Sequence, residues 1–331
     1  MGGSTSQLIS PLPVGRTVII TGGNSGIGYQ VAKEMAFMGA KVILAVRTEE
    51  RGKSAIAKIK ADYEERKKGD NTYNIIVREE MDLQYHVCDL ASLKSTMQFI
   101  DWFKSTGLVC HVLICNACTY SLHEVLTEDK WESTYQVNYL AHFLLISQFL
   151  PGICKSEEEC RIVIISSQSH HRIHFDADYA ATSRMKKFDG FKTYANCKLF
   201  QIMLMYSLDK ILEHHPKVDV LSVDRGKLDA FAFHGEGEDT SIEGFSCRLA
   251  CLSLCGKMKD DHNGADTVLY AALDPHLQGL SRGYFLRPHD KARFPSPQAR
   301  NKELQDFLWK QTIENLSEYL TGDALKVLAE K

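Results

Sequence analysis

Apolar residues recur in two rhythms along this chain. Six short runs are apolar almost throughout: Arg16–Ile20, Lys41–Val46, Leu83–Val87, Cys110–Cys115, Arg161–Ser166 and Val218–Val223. Continuous β-branched runs of this length predict strands buried on both faces. Gly283–Leu286 predicts a short seventh strand. Between them, Tyr29–Met38 places apolar side chains at helical spacing, Thr48–Lys68 reads as a charged, exposed helix, and Ser92–Phe103, Asp129–Leu150 and Lys192–Glu213 read as helices, with Pro151 expected to stop the fourth of the five. Strands alternating with helices predict an α/β fold: a doubly wound, seven-stranded parallel sheet with helices on both faces, three layers in a single domain. Tyr73–Val77 reads as an extra strand inside an insertion. After Pro295, Ser296-Pro297 reads as an N-cap followed by Pro at the first helical position, opening a packing helix with Leu304, Phe307, Leu308, Ile313 and Leu316. The expected organisation is a tail over 1–15, one domain over 16–290 and a C-terminal helical extension over 291–331. Residues 229–258 are irregular, end in an apolar patch over Phe245–Leu254, and are expected to cover substrate.

Composition narrows the function classes. Of 331 residues, 44% are hydrophobic and 24% charged, and the formal net charge is −3 with no long basic run, so nucleic acid is not an expected partner. Several of the ten cysteines sit inside apolar runs, which points to reduced thiols and a cytoplasmic setting. No apolar run reads as a transmembrane segment, and the N-terminus lacks a signal-peptide core. Met1-Gly2-Gly-Ser-Thr-Ser6 fits the M-G-x-x-x-[ST] acylation pattern, so weak membrane association through Gly2 stands beside a plain polar leader.

Chemistry concentrates at strand ends. Thr21-Gly-Gly-Asn-Ser-Gly-Ile-Gly28 lies between the first strand and the first helix. Glycines there let the backbone approach a pyrophosphate, and the helix N-terminus offers unpaired N–H groups. The second strand ends Ala45-Val46-Arg47 with no carboxylate before Glu49, which favours a 2′-phosphate and hence NADP(H) over NAD(H). Asp89, after the third strand, suits an adenine amino group or a helix cap. Cys115-Asn-Ala-Cys118 has C-x-x-C spacing, but without a second half-site it reads better as the lining of a cofactor site than as a metal centre. Ser166-Ser167 follows the fifth strand, and Asn138 lies mid-helix. Tyr194 and Lys198 stand one helical turn apart on one face. A free phenol titrates near ~10, and a neighbouring cation lowers such a value by about 1–3 units, so this pair can exchange a proton with a carbonyl or alcohol oxygen.

In this order and at these intervals the motifs resemble the short-chain dehydrogenase/reductase family, from about Arg16 to Leu286. His111–Ala117, Gln136–Phe143, Ser167–His170 and Leu269–Ala272 are similar to its retinol dehydrogenase branch. The resemblance implies a Rossmann fold and a hydride transfer between NADP(H) and a small apolar carbonyl or alcohol: a retinoid, steroid, prenol or other lipid. It implies Tyr194 as proton donor and acceptor, Lys198 on the nicotinamide ribose, Ser167 on the carbonyl and Asn138 supporting a water relay to Lys198. Gly22, Asn24, Ser25, Gly26, Ile27 and Gly28 would hold the pyrophosphate, Asp89 and Leu90 the adenine, and Asn116 and Ala117 the adenosine ribose side. It also implies a homodimer packed through the helices carrying Asn138 and Tyr194. Cys118, Ala141 and Arg225-Gly226 depart from the family pattern. Cys118 and Arg225 support an alternative: a cofactor-binding regulatory protein on the same scaffold.

Overall fold

The computed structural model describes residues 15–68, 76, 80–224 and 261–330, with side chains from 264 in the last stretch. Gly2, the strand expected at Tyr73–Val77 apart from Ile76, the segment 229–258 and Arg225-Gly226 lie outside the described residues; Ile76 donates its N–H to the Phe37 carbonyl at 2.9 Å.

Seven parallel strands form the sheet: β1 (Thr17–Thr21), β2 (Lys41–Val46), β3 (Leu83–Val87), β4 (Val112–Cys115), β5 (Cys160–Ser166), β6 (Val218–Asp224) and β7 (Tyr284–Phe285). Their spatial order is β3-β2-β1-β4-β5-β6-β7. The winding reverses between β1 and β4, and the crevice beyond their carboxyl ends is where such sheets bind ligands. Alternation along the strands splits the core. Val18, Ile20, Val42, Leu44, Ile114 and Val163 face α1 (Gly26–Phe37), α2 (Glu49–Lys68) and the later helix Asp261–Leu273. Ile19, Ile43, Leu113, Ile162 and Val220 face α3 (Leu93–Ser105), α4 (Ser133–Cys154) and the helix Gly190–Ile211. A period of two residues produces this division, because successive side chains leave opposite faces of a strand.

In chain order the remaining helices are α5 (Ala177–Thr182), α6 (Gly190–Ile211), α7 (Asp261–Leu273), α8 (Lys302–Asn315) and α9 (Gly322–Leu328). Four points differ from the sequence expectation. First, α4 begins at Ser133, not Asp129. Lys130 adopts a left-handed φ of 67°, and the Asp129 carboxylate accepts from Leu93 N (2.8 Å) and Gln136 Nε2 (2.7 Å). Second, Pro151 lies inside the helix. Proline keeps a helical φ and loses one hydrogen bond, and the buried Leu150 and Ile153 hold the last turn in place. Third, Ser296-Pro297 forms a turn, with Ser296 Oγ accepting from Ala299 N. Gln298 is tied to Phe175 N and Ile173 O, and α8 starts five residues later under an Asn301 cap. Fourth, α5 and α7 are additional helices, α5 capped by Asp176 and closed by left-handed Ser183.

Ser133–Cys154 is long and apolar enough to cross a membrane, with a mean hydropathy of 1.3, but 78% of that window is buried in the fold. The helix is therefore placed as core. Its outer face and that of α6 are covered by the C-terminal extension. Tyr139 Oη meets Thr312 Oγ1 at 2.8 Å, Phe143 stacks edge-on to Trp309 at 5.1 Å, and Gln148 Nε2 donates to the Tyr319 carbonyl at 2.8 Å.

Glu132 anchors the start of α4. This buried carboxylate accepts from Thr134 N (3.0 Å), Tyr135 N (2.9 Å) and Tyr179 Oη (3.1 Å). Glu132→Ala removes a helix cap and a buried acceptor together, a loss of about 2–4 kcal/mol. Calorimetry should show the thermal midpoint falling by roughly 5 °C or more, and falling less in Glu132→Gln.

Candidate active site

The glycine-rich turn is wedged against the end of β4. Gly22 and Gly26 adopt left-handed φ values of 64° and 52° that other residues resist. A Cβ on Gly28 would lie 2.4 Å from Asn116 Nδ2 and 2.6 Å from the Gly22 carbonyl. Asn116 Nδ2 donates to the Thr21 carbonyl at 2.8 Å, and the Thr21 hydroxyl oxygen accepts from Asn116 N (2.9 Å) and Ala117 N (3.0 Å). Asn116 and Ala117 thus seat the turn itself, at the end of β4.

The other face of the turn is open. Ser25 and Gly26 are exposed, and a Cβ on Gly26 would meet nothing within 4 Å. Ser92, Asp176, Asp189, Asn301 and Thr321 cap their helices through side chains, whereas Ser25 makes no such bond at the start of α1. Asn24 is half-buried and Ile27 buried beneath them. A cradle that admits no Cβ at Gly28 and opens outward at Gly26 fits a pyrophosphate. Arg47 is exposed at the end of β2, beside the turn, where Gly22 N donates to the Ala45 carbonyl at 2.8 Å. Asp89 Oδ1 accepts from Ala91 N (3.0 Å) and Asp89 N donates to Ser95 Oγ (3.0 Å), so this residue shapes the approach to α3, while Ser92 supplies the cap. Leu90 is buried in the core.

Tyr194 and Lys198 lie on α6, whose start is fixed by Asp189 Oδ1 accepting from Lys192 N and by Gly190, packed against the Ser121 carbonyl. Both side chains are buried, and Lys198 Nζ stands 5.3 Å from the Tyr194 ring centroid. Nζ donates to the Ile165 carbonyl at 2.8 Å and to Gln201 Oε1 at 3.0 Å. Ser166 Oγ donates to the Lys198 carbonyl at 2.8 Å, locking α6 to the end of β5. Ser167 follows, its Oγ accepting from Ser169 N at 3.2 Å.

Asn138 lies in a π-helical turn, Gln136–Leu140, within α4. Its side chain clasps Thr119, accepting from Thr119 N (2.7 Å) and donating to the Thr119 carbonyl (2.9 Å). This holds the loop that sets the Tyr120 ring edge-on to Tyr194 at 6.0 Å. The Asn138 carbonyl accepts from Gln201 Nε2 at 2.7 Å, so a protein amide connects it to Lys198. Cys115 is buried in β4 with its thiol pushed up by burial, and Cys118 Sγ points to the Thr119 carbonyl, an arrangement suited to packing.

Four residues with no assigned role join the site. Thr21 and His142 meet at 2.9 Å between the glycine turn and α4. Gln201 stands on the Lys198 face of α6, three residues on, which helical spacing alone would have revealed. Asp224 accepts from Gln168 N (2.6 Å) and Tyr284 Oη (3.1 Å) at the end of β6.

Burial pushes the His142 imidazole down to about 4; the Asn138 carbonyl opposes this and the Lys198 charge adds to it. Burial also holds His170 at about 4, against the Ser167 carbonyl. Between that value and the ordinary 6.5, the unfolded chain binds protons that the fold does not. Stability therefore rises with pH through this window, by about 1.4 kcal/mol per unit for each histidine, and falls as pH drops. Urea unfolding between about pH 5 and about pH 7 should show the midpoint rising, with roughly half that slope contribution missing in His142→Asn. Equal slopes would contradict a neutral, buried His142.

Residues 16–239 match the family model described as short chain dehydrogenase. The chain is 33% identical over 313 residues to WW domain-containing oxidoreductase of Gallus gallus, covering 92% of this chain and 69% of that protein. It is 30% identical over 321 residues to polyprenol dehydrogenase of Homo sapiens, covering 95% and 88%. It is 31% identical over 306 residues to retinol dehydrogenase 13 of Mus musculus, covering 90% and 83%. Its fold is similar to a crystal structure of a Mycobacterium paratuberculosis protein (TM-score 0.65, 22% identity, 92% and 94% covered). It is also similar to a short chain dehydrogenase from Shigella flexneri complexed with NADP (TM-score 0.54, 19% identity, 83% and 98% covered). The glycine turn, Asn138, Ser167, Tyr194 and Lys198 all fall within the matched region, and the chain belongs to the short chain dehydrogenase family of oxidoreductases acting on CH–OH groups.

Proposed function

We propose that this chain interconverts a carbonyl and an alcohol on an apolar, lipid-like substrate with NADP(H), Tyr194 exchanging the proton. One observation carries this reading: a phenol and an ammonium are buried together on α6, with Nζ 5.3 Å from the ring, next to the serine-bearing end of β5. A buried cation favours the ionised form of a neighbouring phenol. Tyr194 then takes the proton of an alcohol, or returns one to a carbonyl oxygen. Ser167 donates to the same oxygen and fixes its direction. Lys198 holds the phenol's charge and the ribose nearest the reacting carbon, and Asn138 steadies the loop behind Tyr194. The bound nicotinamide supplies or accepts the hydride.

Support for an apolar substrate is twofold. Two relatives are named for polyprenol and retinol. Leu122, Val125 and Leu126 are exposed on the loop that carries Tyr120 against Tyr194. Support for NADP(H) is the exposed Arg47 at the end of β2, where a guanidinium suits a phosphate.

Purified protein with NADPH should reduce members of a panel of apolar aldehydes and ketones spanning retinoid, prenyl and steroid skeletons. Tyr194→Phe should lose about 100-fold or more in kcat while still quenching on NADPH binding. A parent inert across the panel contradicts the reaction, and unchanged turnover in Tyr194→Phe removes that residue from its role. For cofactor choice, Arg47→Ala should raise KM for NADPH about tenfold and leave KM for NADH within about twofold; parallel changes would contradict a 2′-phosphate site.

A further inference from the structure

Gln201 is buried one turn beyond Lys198 on α6, and neither hydrogen-bonding end of its carboxamide faces solvent. Oε1 accepts from Lys198 Nζ at 3.0 Å, and Nε2 donates to the Asn138 carbonyl at 2.7 Å. The π-helical turn matters here. Ala141 N bonds back to the Gln136 carbonyl, five residues earlier, and the Asn138 carbonyl is taken by side chains: Gln201, and His142 Nδ1 at 3.2 Å. A carbonyl only accepts, so Nδ1 carries the imidazole proton and Nε2 accepts from the Thr21 hydroxyl at 2.9 Å. The Thr21 oxygen accepts in turn from Asn116 N and Ala117 N. Thr21, Asn138, His142, Lys198 and Gln201 are all buried. One continuous hydrogen-bonded line therefore runs from the glycine turn to the lysine.

We infer that Gln201 is a positioning residue: it fixes the direction of the Lys198 ammonium by tying it, through the Asn138 carbonyl and His142, to Thr21 of the glycine turn. This rests on the reading of Tyr194 and Lys198 as the reacting pair. A lysine on its flexible stem carries a large rotamer entropy. Bonds to the Ile165 carbonyl and Gln201 set the directions of two of its donors. A carboxamide suits this place. It accepts from the ammonium and donates to the carbonyl, and it keeps its protonation near neutral pH, so the lysine retains its full charge beside Tyr194. A carboxylate there would cancel that charge.

Several other ionisable groups share this surrounding. His142 on α4 and Cys197 on α6 feel the Lys198 charge, and Tyr284 on β7, bonded to Asp224, feels Tyr194. Glu132 and Tyr179 lie behind Cys197, and His170 follows Ser167.

The test is tyrosinate absorbance titration of the full chain, with each protein compared to its Tyr194→Phe counterpart so that the difference isolates Tyr194. Gln201→Met keeps the volume without a donor or acceptor, and Gln201→Glu keeps the shape and adds a negative charge. The Tyr194 midpoint should move up by about half a unit or more in Gln201→Met, and by more than about one unit in Gln201→Glu. A purely structural glutamine would lower the thermal midpoint and leave the titration unmoved, and an unmoved Tyr194 midpoint in either folded variant overturns the inference. Gln201→Asn adds no charge and withdraws the carboxamide from Nζ, and so decides the question where Gln201→Met fails to fold, its Tyr194 midpoint moving up in the same sense. The titration needs no substrate. A shifted midpoint without turnover on any carbonyl would keep Gln201's role and remove the proposed reaction; turnover with an unmoved midpoint would do the reverse.

Discussion

A lysine ammonium buried beneath the sheet's carboxyl edge dictates the polar architecture around it. Burying an unpaired cation costs several kcal/mol, so each N–H of Lys198 requires an acceptor. The chain supplies the Ile165 carbonyl from β5 and the Gln201 carboxamide from α6. Gln201 in turn needs an acceptor for its own N–H, and α4 widens into a π turn at Asn138 whose carbonyl provides one. His142 completes the series by reaching Thr21. Irregular helix, buried imidazole and glycine turn are joined to this one charge by a continuous series of hydrogen bonds.

The same frame links the glycine turn to the Tyr194–Lys198 pair. Asn116 seats the glycine turn from the end of β4, while Asn138 clasps Thr119 a few residues further along the same segment. Ser166 ties β5 to the backbone of Lys198 itself. A small displacement of any of these would move the phenol relative to the turn, and positioning within a fraction of an ångström is what hydride chemistry asks of a protein. The C-terminal helices brace the far side of α4 and α6, through Thr312, Trp309 and Tyr319.

Legible in the sequence were the features whose signal is local and periodic: all seven strands, the glycine turn between β1 and α1, and the Tyr194–Lys198 spacing. Features decided by distant partners were not. Asp129 looks like a helix start, but it is claimed by Leu93 and Gln136. Ser296-Pro297 looks like one too, yet Gln298 is pinned to the chain near Phe175. Pro151 reads as a stop and is carried through by burial of its neighbours. Asn116 has the place expected of it after β4, and its bond to the Thr21 carbonyl, which seats the glycine turn, comes from tertiary packing that no local pattern announces. Gln201 carried a weak local cue, three residues from Lys198, but its second partner is a carbonyl on another helix.

The most direct measurement follows the hydride itself. Incubating the protein with an apolar aldehyde and NADPH deuterated at C4 of the nicotinamide, then weighing the alcohol product, reads whether the reaction occurs on this scaffold. The account predicts one deuterium on the carbinol carbon, and its loss when Tyr194 is replaced by phenylalanine. Alcohol free of deuterium, or no alcohol from any apolar carbonyl, would contradict it.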